Sequence, residues 1–170
     1  MALKNYIYSH KKAFLKKPNS THSRANFLGQ VYEASFFEAL IGGQVDELPE
    51  KAQILAKPPY AKRKFSESGF RIENDGAFVY ASQGVPMGEF DALAYSEEEI
   101  RFYECFLSRT PAIAKKHKID SKRKIRLLEK LFPSKKITCG IVSDSTSSLA
   151  GFEKCEQFIP IVFQHQSIDL

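Results

Sequence analysis

The chain has 170 residues, of which 43% are hydrophobic and 26% charged, with a formal net charge of +5. That length suits one domain with a substantial core, and the balance is that of an ordinary globular protein, which sets aside disordered and fibrous classes. No run of about 18 apolar residues occurs, so no membrane-spanning helix is expected; the modest positive charge permits a polyanionic partner without requiring one.

In chain order, residues 1–24 read as a basic leader. Tyr6, Ile7, Phe14 and Leu15 lie among lysines, a pattern for a short amphipathic helix over Leu3 to Lys17 that is either a solvated leader or an arm touching phosphates. The leader lacks the apolar core and cleavage-site pattern of a signal peptide. Cys105, Cys139 and Cys155 are odd in number and far apart, which points to reduced thiols in a cytoplasmic protein. His10, His22, His117 and His165 are scattered and give no zinc-site spacing.

The clearest helix runs from Asn26 to Ile41. Leu28, Val31, Tyr32, Phe36, Ala39 and Leu40 recur at helical spacing, and Gly42-Gly43 supplies a stop. Glu33 borders the apolar face, and a carboxylate there needs a partner, from a lysine, an arginine or a cation. Residues 44–68 are irregular, with Pro49, Pro58-Pro59 and the basic run Lys62-Arg63-Lys64. Phe70 to Ile72 and Ala77 to Ser82 are short β-like segments, the second joined through Gly84-Val85-Pro86 to the strand that carries Asp91. Together these make a three-strand meander.

Gly88 to Tyr95 and Ile100 to Leu107 flank the polar break Ser96-Glu97-Glu98-Glu99, the pattern of an antiparallel hairpin. With Glu97 and Glu98 at its tip, counting back places Asp91 directly opposite Glu104 on one face of the sheet. Opposed positions have Cβ atoms about 4.5–5.5 Å apart, and like charges there destabilise a sheet unless something positive lies between them. A divalent cation is the leading candidate. The second strand is apolar on both faces, with Ile100, Phe102 and Phe106 on one and Tyr103, Cys105 and Leu107 on the other, so it is expected to be central and covered on both sides.

Beyond Glu104 the chain is strongly basic: residues 109–136 contain eleven lysines and arginines against Asp120 and Glu129. A helix is expected from Asp120 to Phe132, with Ile125, Leu128, Leu131 and Phe132 inward and Pro133 as its stop. Lys136 to Val142 reads as a strand parallel to the Glu104 strand, since a helix separates them. A polar loop, a short helix near Leu149 to Lys154, and a strand from Phe158 to Phe163 complete the order. The fold class that follows is α/β, a mixed central sheet with helices on both faces, in one domain over residues 25–170.

This order, with Glu33 on the first helix, Asp91 on one strand and Glu104 on the next, resembles the PD-(D/E)XK nuclease superfamily, the restriction-endonuclease-like fold, over residues 25–145. The resemblance implies hydrolysis of phosphodiester bonds in DNA or RNA with Mg2+ or Mn2+ as cofactor. It implies Asp91, Glu104 and the backbone carbonyl of Cys105 as metal ligands, with Glu33 supporting them directly or through water. Lys115, Lys116, Arg123 and Lys124 are the expected nucleic-acid contacts, and pairing into a homodimer is implied by the family alone. The chain departs from the pattern at the motif lysine, where Phe106 stands. Two expectations follow. Either a lysine has moved to the next helix, with Lys122 first and Lys116 and Arg126 behind it, or the site is degenerate and the protein binds nucleic acid or a protein partner without cutting.

Overall fold

The computed structural model describes residues 21–46, 48–54, 69–72, 78–107 and 111–164. Along them run helix α1 (Thr21–Ile41), strands β1 (Gln53–Ile54), β2 (Gly69–Ile72), β3 (Phe78–Ser82), β4 (Val85–Phe90), β5 (Ala92–Tyr95) and β6 (Glu99–Cys105), helix α2 (Pro111–Leu131), strand β7 (Lys136–Ser143), helix α3 (Thr146–Leu149) and strand β8 (Phe158–Val162). The leader at residues 1–20 and the basic run at 62–64 lie outside the described residues.

A five-stranded mixed sheet, in the order β1-β5-β6-β7-β8, forms the centre. β5 runs antiparallel to both of its neighbours, β1 and β6, whereas β6, β7 and β8 run parallel. The parallel pairs follow from the intervening chain: α2 carries the crossover from β6 to β7, and α3 with its flanking turns carries the one from β7 to β8. β6 is covered on both faces. Ile100 and Phe102, with the following Phe106, pack under Ile125 and Leu128 of α2, while Tyr103 packs with Tyr32, Phe36 and Leu40 of α1. The Tyr103 ring lies so close to Gly140 of β7 that a Cβ there would sit 2.4 Å from it, which explains a glycine in mid-strand.

Helices α1 and α2 are longer than periodicity alone indicates. α1 begins at Thr21, before the expected Asn26, so Thr21 to Arg24 belong to the helix and not to a separate leader. It ends as its glycines require: Gly43 has φ +68°, and Gln44 N–H donates to the Ala39 carbonyl at 2.9 Å. α2 begins at Pro111, well before the expected Asp120, because partly buried Ala114 and His117 extend the inward stripe of Ser121, Ile125 and Leu128 towards the N-terminus. Proline is at home in the first turn. α3 covers Thr146–Leu149, just before its expected place.

The expected three-strand meander divides at Asp91. β4 belongs to a separate antiparallel sheet, β2-β3-β4, and β5 to the central one. Asp91 is the bend between the two, and it stands at the edge where the sheets meet. Among the described residues, no helix is long and apolar enough to cross a membrane.

Candidate functional site

The β5–β6 hairpin sets the geometry. Ala92 pairs with Tyr103 and Tyr95 with Ile100, so the same register carried one residue further puts Asp91 against Glu104. The tip is at Glu97-Glu98, where the Ser96 hydroxyl accepts the Glu99 N–H at 3.1 Å and Lys135 Nζ donates to the Ser96 and Glu97 carbonyls, both at 2.8 Å. Hydrogen bonding pins the turn and so fixes which side chains meet at the far end.

At that end Asp91 Oδ2 accepts the Cys105 backbone N–H at 2.7 Å. Glu104 is 5% exposed, and its Oε1 lies 2.5 Å from Lys124 Nζ. Burial first, and then the charge of Asp91, push the Glu104 carboxyl up to about 8 against the opposing pull of Lys124; Glu33 adds to the rise. For Lys124 burial opposes the charged form, but the carboxylates of Glu104 and Asp91 outweigh it and hold the ammonium above its ordinary value. The same ammonium lies 5.6 Å from the centre of the Phe90 ring, a cation–π distance.

These groups share an open cavity of about 520 Å³. Glu33 of α1 enters it beside Asp91, Glu104 and Cys105, so the three expected carboxylates come together from three elements of the chain. Lys116, Arg123 and Lys124 line it from α2, whereas Lys115 is exposed and outside it. Lys122 requires a correction. It is exposed and does not line the cavity; the lysine that reaches the carboxylates is Lys124. Helical phase is the reason. The buried stripe of α2 runs through Ser121, Ile125 and Leu128, and at about 100° per residue Lys124 flanks that stripe on the cavity side while Lys122 points well away from it.

Sequence reasoning passed over Gln30, Glu89, His117 and Asp120, which also line the cavity. Gln30 Oε1 is buried there without a hydrogen-bond partner among the described residues; one turn from Glu33, its spacing was the available signal. His117 lies against Phe106, their rings stacked with centroids 4.8 Å apart and planes at 19°. Among the described residues, no three His, Cys, Asp or Glu side chains are grouped so as to hold a metal ion as they stand. Comparison with protein-family models, curated proteins and solved structures found no match.

Proposed function

We propose that this protein is a metal-dependent nuclease that hydrolyses phosphodiester bonds in DNA or RNA, built on a restriction-endonuclease-like core. The observation that carries this reading is the meeting of Asp91, in the bend that leads into β5, and Glu104 of β6, with the Lys124 ammonium on Glu104. In the PD-(D/E)XK resemblance a lysine acts beside just such a pair. Here Phe106, just past the end of β6, stands in the lysine's place, and Lys124 brings the missing ammonium from the following helix.

The donor chemistry suits a hard divalent cation. Such ions prefer carboxylate and carbonyl oxygens, and the cavity presents Glu33, Asp91 and Glu104 beside Cys105. Burial first, and then the neighbouring Asp91 and Glu33, raise the Glu104 carboxyl against the pull of Lys124, and a divalent cation would favour its ionised form. Mg2+ or Mn2+ held by these residues would supply Lewis-acid activation of water and neutralise charge on the phosphoryl oxygens.

The chain's own contributions are distinct. The Cys105 N–H orients Asp91. Lys124 keeps a positive charge within reach of the reacting phosphate. Lys116 and Arg123, exposed at the cavity, offer contacts to the flanking backbone, the electrostatic part of nucleic-acid affinity. A second reading, binding without cleavage, is favoured by the direct pairing of Lys124 with Glu104, which satisfies that carboxylate without a metal.

The test is incubation of plasmid DNA and of a structured RNA with the wild-type protein and with Asp91→Asn, in Mg2+ and in Mn2+. Metal-dependent cleavage confined to the wild type supports the nuclease. Nucleic-acid binding without cleavage supports the second reading. Neither binding nor cleavage overturns both.

A further inference from the structure

The nuclease reading leaves one chemical role unfilled, and the inference here rests on that reading. Hydrolysis requires a group that takes a proton from the attacking water. Lys124 is a poor acceptor because its ammonium is held by Glu104 and Asp91. Glu104 already receives the Lys124 hydrogen bond. Lysine and arginine are ordinarily protonated at neutral pH, and of the cationic side chain types in the cavity only histidine titrates near 7.

His117 lines the same cavity as Asp91 and Glu104. It precedes Lys124 on α2 by two helical turns, so both project from one side of the helix across β6. Both line the cavity that holds Asp91 and Glu104. Its imidazole is stacked on Phe106, which is 5% exposed and packs in turn against Phe152 at 6.1 Å between centroids. The residue that replaces the motif lysine therefore serves as a platform that fixes the histidine ring.

We propose that His117 is the proton acceptor of the reaction, its ring held over the cavity by stacking on Phe106. In this step the water oxygen forms a bond to phosphorus while the water proton passes to an imidazole nitrogen. The phosphorus–ester oxygen bond breaks, the leaving alkoxide takes a proton from solvent, and the imidazolium returns its proton to solvent. One water is consumed, a phosphomonoester and an alcohol result, and nothing is oxidised or reduced.

The surroundings favour an imidazole able to accept. Burial first, then the Lys124 ammonium, hold it below its ordinary value; Asp120 opposes this and Lys116 adds to it. The other charged groups facing the same cavity are Glu33 from α1, Glu89 from β4, Asp91 from the β4–β5 bend, Glu104 from β6 and Arg123 from α2.

The experiment has two arms. In the first, with Mg2+ saturating at every pH so that Glu104 stays ionised, the pH dependence of kcat/KM for wild-type cleavage is set against the titration of the His117 ring followed by NMR under the same conditions. In the second, His117→Phe, which keeps an aromatic ring on Phe106, and His117→Ala, with and without added imidazole, are assayed for cleavage and for Mn2+ affinity by calorimetry. The proposal expects the acidic limb of the wild-type profile to coincide with the His117 titration. It expects His117→Phe to bind Mn2+ as the wild type does, to lose cleavage by about 10²- to 10⁴-fold, and to lack that limb. Imidazole should restore part of the His117→Ala activity. An unchanged rate and limb in His117→Phe overturns the proposal and leaves the nuclease reading standing. Loss of Mn2+ binding in that variant also overturns it, by making His117 a ligand. Should His117→Phe fail to fold, a mismatch between the wild-type limb and the His117 titration overturns it alone. A wild type that neither binds Mn2+ nor cleaves overturns the nuclease reading itself.

Discussion

Lys124 Nζ and Glu104 Oε1 are 2.5 Å apart, with their side chains 12% and 7% exposed, and this pair joins the only long crossover helix of the described residues to the central strand. Removing one partner of a buried pair leaves the other charge uncompensated, which typically destabilises by about 3–5 kcal/mol. Lys124→Met is therefore expected to lose about that much by urea unfolding at pH 9. The loss shrinks at pH 6, where the Glu104 carboxyl takes up a proton. Adding Glu104→Gln to Lys124→Met should restore much of the stability at pH 9; strictly additive losses would show that the two groups are not coupled.

The pH dependence of the wild type follows from Glu104. Its carboxyl is raised to about 8 by burial and by Asp91, so between about 4.5 and 8 the folded state holds a proton that the unfolded state has released. Stability then falls as pH rises through that interval. Thermal melts from pH 5 to pH 9 are expected to show a declining Tm, flattened by Asp91→Asn and abolished by Glu104→Gln. Glu99 has the opposite sign. Although burial raises its carboxyl, hydrogen bonds from Thr138 and Arg101 outweigh that and lower it, so its contribution is lost only as pH falls below the usual carboxylate range. A Tm that rose from pH 5 to pH 8 would contradict the account of Glu104.

Asp91 is also a structural acceptor, and its two substitutions should separate. Asp91→Ala removes the partner of the Cys105 N–H, and an unsatisfied backbone donor typically costs about 1–3 kcal/mol. Asp91→Asn keeps an acceptor oxygen and is expected to unfold within about 1 kcal/mol of the wild type. Equal loss in both would mean that the carboxylate charge, not the hydrogen bond, holds the bend.

Charges on α2 should divide by direction. Lys116 and Arg123 line the cavity, and Lys122 does not. If the first two touch phosphates, Lys116→Ala and Arg123→Ala each lower the slope of log affinity against log salt by about 1, whatever the sequence bound. Lys122→Ala leaves the slope and the stability nearly unchanged. Fluorescence anisotropy with a labelled oligonucleotide over a salt series measures all three.

Much of this site was legible in the sequence because strand periodicity is short and rigid. A tip at Glu97-Glu98 fixes Asp91 against Glu104 by counting, and the hairpin's own hydrogen bonds hold that register. The two-sided burial of β6 and its parallel pairing with β7 were also readable, from an apolar run and an intervening helix. What the sequence hid depends on angles rather than alternation. Lys122 and Lys124 differ by a rotation of about 200° around α2, and the inward stripe is not evident until Ser121 and His117 are known to belong to it. The break at Asp91 was hidden for a related reason. Gly88 to Tyr95 read as a single strand, and only the separate pairing of β4 with β3 divides it. His117 was dismissed because no metal-ligand spacing surrounds it, whereas its place comes from stacking on Phe106.

The most direct test of the central claim is calorimetric titration of Mn2+ into the wild type and Asp91→Asn, with plasmid and RNA cleavage measured on the same samples. The account predicts saturable binding to the wild type, its loss in Asp91→Asn at nearly unchanged stability, and metal-dependent cleavage that disappears with it. Absence of Mn2+ binding by the wild type, or binding that survives in Asp91→Asn, would contradict the assignment of Asp91 and Glu104 as a metal site.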